Sequence, residues 1–309
     1  MTRTIIGAAL ALALATTAAN AAEGASCKKI RFADVGWTDI QVTTATTQVI
    51  LEALGYEPEV KTLSVPVTYA SLKNKDIDVF LGNWMPSMTN DIKAYTDDKS
   101  VETIGKNLDN AGYGLVVPQY VADAGIKSLA DLGANKDKFK GKIYGIEAGN
   151  DGNRIIGEMI AKAENKLVGY ELVESSEAGM LTEAEKAIKA KEWIIFLGWT
   201  PHPVMGAMKI AYLDGMGDSG FGAATVSTNV RAGYMAECPN VGKLLSNLKF
   251  NLDMEGAMMA PVLKDAADPK ATAAAWLKAH ADAVKPWLAG VTTVDGKDGA
   301  AAVAAALAK

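Results

Sequence analysis

The sequence predicts an α/β fold of two lobes, each lobe a βα-wound sheet. Strand-like apolar runs alternate with amphipathic stretches, the pattern of repeated βα winding with helices covering a largely parallel sheet. Two runs echo each other, Phe80-Leu81-Gly82-Asn83-Trp84-Met85-Pro86 and Phe196-Leu197-Gly198-Trp199-Thr200-Pro201, so an equivalent strand is expected once in each lobe. Cys27 and Cys238 stand roughly 210 residues apart, and pairing them would return the last third of the chain to the first lobe.

Arg3 precedes an uncharged run rich in Ala and Leu that closes on Ala19-Asn20-Ala21, which fits the small-residue rule for signal cleavage. Residues 1–22 are therefore expected to be an export signal, too short and weakly apolar to remain as a membrane span. A lipid anchor on Cys27 is disfavoured, because Glu23 separates it from the apolar run and no Leu stands three residues before it. Removing the signal leaves roughly 285 residues, enough for two lobes of ordinary size. The net charge of -5 argues against nucleic acid and anionic membrane surfaces as partners. In an oxidising compartment the two cysteines most simply form one bridge, two free buried thiols being the alternative. Metal binding is disfavoured, with only His202 and His280 available and no close spacing.

Residues 30–35 read as a strand, 42–54 as a helix ended by Gly55, 59–63 as a second strand, 67–73 as a short helix and 77–81 as a third strand. A second unit follows an extended run, residues 113–118, closed by Pro118. It comprises a short capped helix at 128–132, a strand at 142–146, a helix at 152–163 opened by Asn150 or Asp151, a helix at 181–189, and a strand at 193–197 leading to Trp199. The Gly-rich stretch 214–222 reads as a mobile loop, and residues 224–230 as the return to the first lobe. The rest is mostly helical, including the Ala-rich tail 299–309. The expected division is 27–115 with 228–309 in the first lobe and 116–227 in the second.

No nucleophile elbow, zinc-protease motif or phosphate loop is present. The glycines at 215, 217 and 220 lie beside Asp214 and Asp218, which would repel phosphate. His202, between two prolines, is a lone imidazole for which a structural role is the simpler reading, and His280 reads as a surface residue.

Binding chemistry fits better. Trp37, Trp84 and Trp199 stand at three apparent strand exits, and ligands of open α/β sheets bind at the carboxyl ends of strands. Each indole also has a plain reading as core, and Trp193, Trp276 and Trp287 are left as structural. Aromatic faces attract cations, each desolvated contact contributing about 2 kcal/mol. A box of rings suits a quaternary ammonium, which donates no hydrogen bonds and touches several faces at once. A sugar would need a polar fringe, which is thin here.

The segments Phe32-Ala33-Asp34-Val35-Gly36-Trp37-Thr38-Asp39, Gly82-Asn83-Trp84-Met85-Pro86, Ala111-Gly112-Tyr113-Gly114-Leu115 and Gly198-Trp199-Thr200-Pro201-His202 resemble the quaternary-ammonium-binding proteins of bacterial ABC importers. The resemblance covers essentially the whole chain after the signal, with the four segments in the same order. It implies the two-lobed, hinged substrate-binding protein fold and a cage of Trp37, Trp84, Tyr113 and Trp199, with Trp84 facing Trp199 across the cleft. It also implies Asp39 and Asn150 as polar partners, no catalysis and no cofactor. A periplasmic monomer delivering its ligand to a membrane permease is the corresponding role.

Asp39 lies two residues beyond Trp37, so in an extended segment both side chains would share a side. Asn150 either reaches the ligand or caps the helix after it, and the residues alone favour the cap. A carboxylate at Asp39 would accept from the hydroxyl of choline and repel the carboxylate of glycine betaine, so choline is the expected ligand. Glycine betaine or another quaternary ammonium is the alternative. A secreted choline-ester hydrolase using His202 and Asp39 is a weaker one, because no Ser or Cys stands in a persuasive setting. An amino-acid binder would clamp its carboxylate with Arg, and after Arg3 only Arg31, Arg154 and Arg231 occur.

Overall fold

The structure is a computed structural model that describes residues 23–162 and 167–308. The expected export signal, residues 1–22, lies outside them, as do Ala163 and Lys309, the expected ends of two helical segments.

The first half winds as β1 (Lys29–Asp34), α1 (Thr38–Ala53), β2 (Glu57–Thr62), α2 (Val65–Lys73), β3 (Val79–Met85), α3 (Thr89–Asp97) and β4 (Val101–Pro118). After α4 (Gln119–Asp123) come β5 (Lys142–Tyr144), α5 (Asp151–Ala161), β6 (Glu171–Val173), α6 (Glu177–Ala190), β7 (Phe196–Thr200), α7 (Pro203–Met208), β8 (Ile210–Tyr212) and β9 (Gly222–Arg231). The chain then turns helical: α8 (Tyr234–Glu237), α9 (Pro239–Asn247), α10 (Leu252–Asp265), α11 (Pro269–Ala279) and α12 (Gly299–Leu307). Side-chain caps open several of these helices, with Ser176 accepting from the Gly179 amide, Asn251 from Met254 and Asp268 from Ala271.

One curled sheet has the strand order β2-β1-β3-β9-β4-β7-β5-β6, with β8 pairing β4. It is mixed, where the alternating pattern had suggested a largely parallel one. β1 pairs in parallel with β2 and β3, and β5 with β6 and β7. Between these groups, β3 with β9, β9 with β4, and β4 with β7 are antiparallel. The cause is the path of the chain: it leaves the first group along β4 and comes back along β9, and a chain that returns beside itself runs antiparallel.

The Trp-bearing strands also differ from their expected bounds. β3 runs on through Trp84, and β7 excludes Trp193 but includes Trp199, so both indoles lie within strands near their carboxyl ends. The glycines before them explain the continuous packing. A Cβ on Gly82 would come within 2.9 Å of Ile40, and one on Gly198 within 2.6 Å of Val116, so neither strand could lie where it does with a larger residue. Each motif closes on a cis peptide bond, Met85-Pro86 and Thr200-Pro201.

The carboxyl-terminal helices α10, α11 and α12 pack on α1, which carries the last third of the chain back to the first strands. A disulfide joins Cys27 to Cys238 with Cα atoms 5.5 Å apart. Asp78, just before β3, is bound by Arg31 of β1 and by Arg231 at the end of β9, at 2.7 Å in each case. Burial raises the Asp78 carboxyl, but the two guanidiniums outweigh it and hold the group below the usual carboxylate range. The returning strand is thus anchored ionically as well as through the backbone.

Candidate binding site

Four rings converge at the centre of the sheet. Tyr113 of β4 is the cross-strand partner of Trp199 on β7, their ring centroids 6.4 Å apart, and on its other side it lies 5.8 Å from Trp84 of β3. Trp37, in extended backbone at the N-cap of α1, completes the group. All four rings are buried. With Ile146, Asp39 and Asp151 they line a small pocket whose wall carries no Lys or Arg among the described residues.

Neighbouring residues fix each ring. Trp37 Nε1 donates to Glu147 Oε1 at 2.8 Å, and Trp84 Nε1 donates to Asp39 Oδ2 at 3.1 Å. Tyr113 stands edge-on to Phe221 at 5.2 Å and rests on the first turn of α5, where a Cβ on Gly152 would overlap its hydroxyl. Trp199 meets the edge of His202 at 4.9 Å. His202 Nδ1 accepts from the Met205 amide, so its proton sits on Nε2 and is donated to Glu177 at 3.1 Å. The histidine is therefore a support behind Trp199, as the sequence reading had favoured.

Three acids surround the rings. Burial, reinforced by the charge of Glu177, pushes the Asp39 carboxyl up to about 7 against the opposing hydrogen bond from Trp84. Burial likewise pushes Glu147 up to about 7 and Asp151 up to about 6. Three side-chain oxygens on the cavity wall have no protein partner: Asp39 Oδ1 and both oxygens of Asp151. The Ser87 hydroxyl partly offsets the burial of Asp151, yet donates to the Trp84 carbonyl. Trp199 Nε1 is buried without a partner too, the one orphaned donor on the wall among the described residues.

Of the six ligand residues expected from sequence, Trp37, Trp84, Tyr113, Trp199 and Asp39 meet in this cavity, and Asn150 does not line it. Asn150 Oδ1 accepts from the Asn153 amide at 2.8 Å as the N-cap of α5, and its Nδ2 donates to the Glu147 carbonyl, so both ends of the amide are committed. Asp39 arrives by a different route from the extended segment expected. The chain turns helical at Thr38, and the first turn of α1 swings the carboxylate under Trp84. Asp151 escaped the sequence reading because an acid in a first turn is ordinary helix chemistry, and nothing in the string shows that its oxygens are left free.

Among the described residues, three sets of side-chain links cross between the halves of the sheet. Glu177 of α6 accepts from the amide and the hydroxyl of Thr38, each at 2.8 Å. Arg154 of α5 donates to Asp91 at 2.7 Å and to the Ser87 carbonyl at 2.8 Å. The Trp37 bond to Glu147 is the third.

A two-lobed α/β fold with a ring-walled pocket at its centre has the architecture of the substrate-binding proteins of ABC importers. Comparison with protein families matches residues 28–279 to the substrate-binding domain of ABC-type glycine betaine transport systems, and the chain belongs to that family, one of substrate-binding proteins rather than enzymes. Among solved structures it is similar to an ABC-transporter choline-binding protein in complex with choline, at 57% identity and a TM-score of 0.89, covering 92% of this chain and 100% of that one. A choline-binding protein in an unliganded semi-closed conformation is similar at 58% identity and a TM-score of 0.84, with the same coverage. The glycine betaine/carnitine transport binding protein GbuC of Listeria monocytogenes is 31% identical over 181 residues, 55% of this chain and 58% of that protein.

Proposed function

We propose that the protein captures choline in this cavity and hands it to the membrane permease of an ABC importer. Asp39 Oδ1 carries the reading: a buried carboxylate oxygen without a partner, set in a wall of four rings with no cation of its own. A quaternary ammonium supplies the charge that this acid lacks and satisfies the ring faces by cation–π attraction. The choline hydroxyl supplies the donor.

In this reading residues 1–22 direct export to the periplasm and are removed, and the mature chain works as a monomer without a cofactor. Residues 27–115 with 228–309 form one lobe, residues 116–227 the other, and β4 with β9 the hinge. A ligand favours closure only through contacts it makes better in the closed state. Rings from both lobes provide these, while the bonds from Glu177 to Thr38, Glu147 to Trp37 and Arg154 to Asp91 support the closed form itself.

Glycine betaine is the second reading. One observation favours it besides the family's description: the unpartnered Trp199 Nε1–H is a donor that a ligand carboxylate would accept. Thermal shift with choline, glycine betaine, carnitine, amino acids and sugars separates the possibilities. Choline is expected to raise the melting temperature most, and a rise with sugars or amino acids but not with choline would reject the proposal.

A further inference from the structure

We infer that Phe221 is a positioning residue for the binding site: carried on the Gly-rich loop 214–222, it backs Tyr113 and keeps that ring dry and turned towards the cage. The inference rests on the choline reading above. Phe221 is the one buried side chain of the loop, whose residues Asp214, Gly215, Gly217 and Asp218 are exposed. So polar and glycine-rich a stretch has no apolar core of its own, and its ring is buried by what it meets elsewhere. It meets Tyr113, with ring centroids 5.2 Å apart and planes at 86°, a geometry that aromatic pairs favour.

The backbone seats the loop in place. Where it begins, the Asp214 amide donates to the Lys127 carbonyl at 2.8 Å and the Asp214 carbonyl accepts from the Leu129 amide at 3.0 Å. Near its end Gly220, at φ +101°, passes close to the corner after β3 and to α5. A Cβ there would lie 3.1 Å from Ser87 Cα and 3.4 Å from Ile155 Cδ1, so the passage suits glycine in conformation and in space. The Phe221 amide then donates to the Ser219 hydroxyl at 3.2 Å.

Phe221 does not line the binding pocket. It lines two surface clefts outside it, one with Gly112, Tyr212 and Ala223, the other with Pro86, Thr89 and Arg154. The ring therefore stands between Tyr113 and solvent. A cation–π contact is strong when desolvated and weak when exposed. Without Phe221, water from both clefts would reach the far side of Tyr113 and the ring could turn from the cage, so the loss would reach the ligand through Tyr113 alone.

A double-mutant cycle on the full mature protein, read by calorimetry with choline, tests this. Phe221→Ala is expected to raise the choline dissociation constant about 10-fold, the difference between a desolvated and an exposed contact. In a Tyr113→Ala background the same change should cost less than about 2-fold, because residues that act as one unit are not additive. If Phe221→Ala does not fold, Gly220→Ala, which lifts the loop off Ser87, takes its place in the cycle with the same expectation. Wild-type affinity in the single variant, or equal losses with and without the Tyr113 ring, overturns the inference. Failure of the choline reading would look different: Tyr113→Ala would then bind choline as well as the wild type does, whatever stands at position 221.

Discussion

Trp84 Nε1 donates to Asp39 Oδ2 across 3.1 Å, and the other oxygen of that carboxylate is left buried and unpaired on the cavity wall. A ring from β3 thereby orients an acid from α1. Cation attraction and hydroxyl acceptance, the two halves of the proposed choline chemistry, are mechanically one unit.

Removing a ring from either side should weaken binding. A desolvated cation–π contact contributes about 2 kcal/mol, so Trp84→Ala and Trp199→Ala are each expected to raise the choline dissociation constant about 30-fold by calorimetry. Trp84→Ala should be the more damaging, since it also releases Asp39.

Choline affinity should rise with pH between about 5 and 8. The free protein holds Asp39 and Glu147 near 7 and Asp151 near 6, and a cation binds the ionised forms, so below these values choline must displace protons. The stability of the ligand-free protein runs the other way. Carboxyls raised in the folded state contribute fully below their ordinary values near 4, and that contribution is lost as pH rises through 6 to 7. Melting curves at pH 5 and pH 8 should therefore show a lower ligand-free midpoint and a larger choline-induced rise at pH 8.

Gly152→Ala should impair binding although alanine favours a helix. Its Cβ would overlap the Tyr113 hydroxyl and lie within 2.9 Å of Leu197, so the ring must shift out of the cage. A loss of about 10-fold in choline affinity is expected, and adding Tyr113→Phe, which removes the atom most in the way, should restore part of it. Equal affinities for Gly152→Ala and wild type would mean that Tyr113 is not held by this contact.

The disulfide closes a loop across 211 residues. Replacing both cysteines by Ala should lower stability by about 2–4 kcal/mol and the melting temperature by about 5–15 °C. Choline affinity should hold, because the bond lies away from the cavity.

The sequence disclosed most of the residues that line the pocket, and less of their geometry. Trp84 and Trp199 were legible because Gly, Trp and Pro recur in order after an apolar run. Their spatial link through Tyr113 was not, because it depends on strand pairing across the two halves of the chain. The first part of β4 carries Glu102, Lys106, Asn107, Asp109 and Asn110, with no apolar alternation to announce a strand. Missing it hid the antiparallel centre of the sheet. Asn150 and Asp151 are adjacent and both polar, and which of them caps α5 and which reaches the cavity is decided by backbone geometry that a string of letters does not contain.

The central claim is that this cavity selects a hydroxylated quaternary cation, and titrating the wild-type protein with choline and glycine betaine in the same calorimeter cell at pH 8 tests it most directly. Choline is expected to bind at least 10-fold more tightly than glycine betaine. Tighter binding of glycine betaine, or no heat of binding with choline, would contradict it.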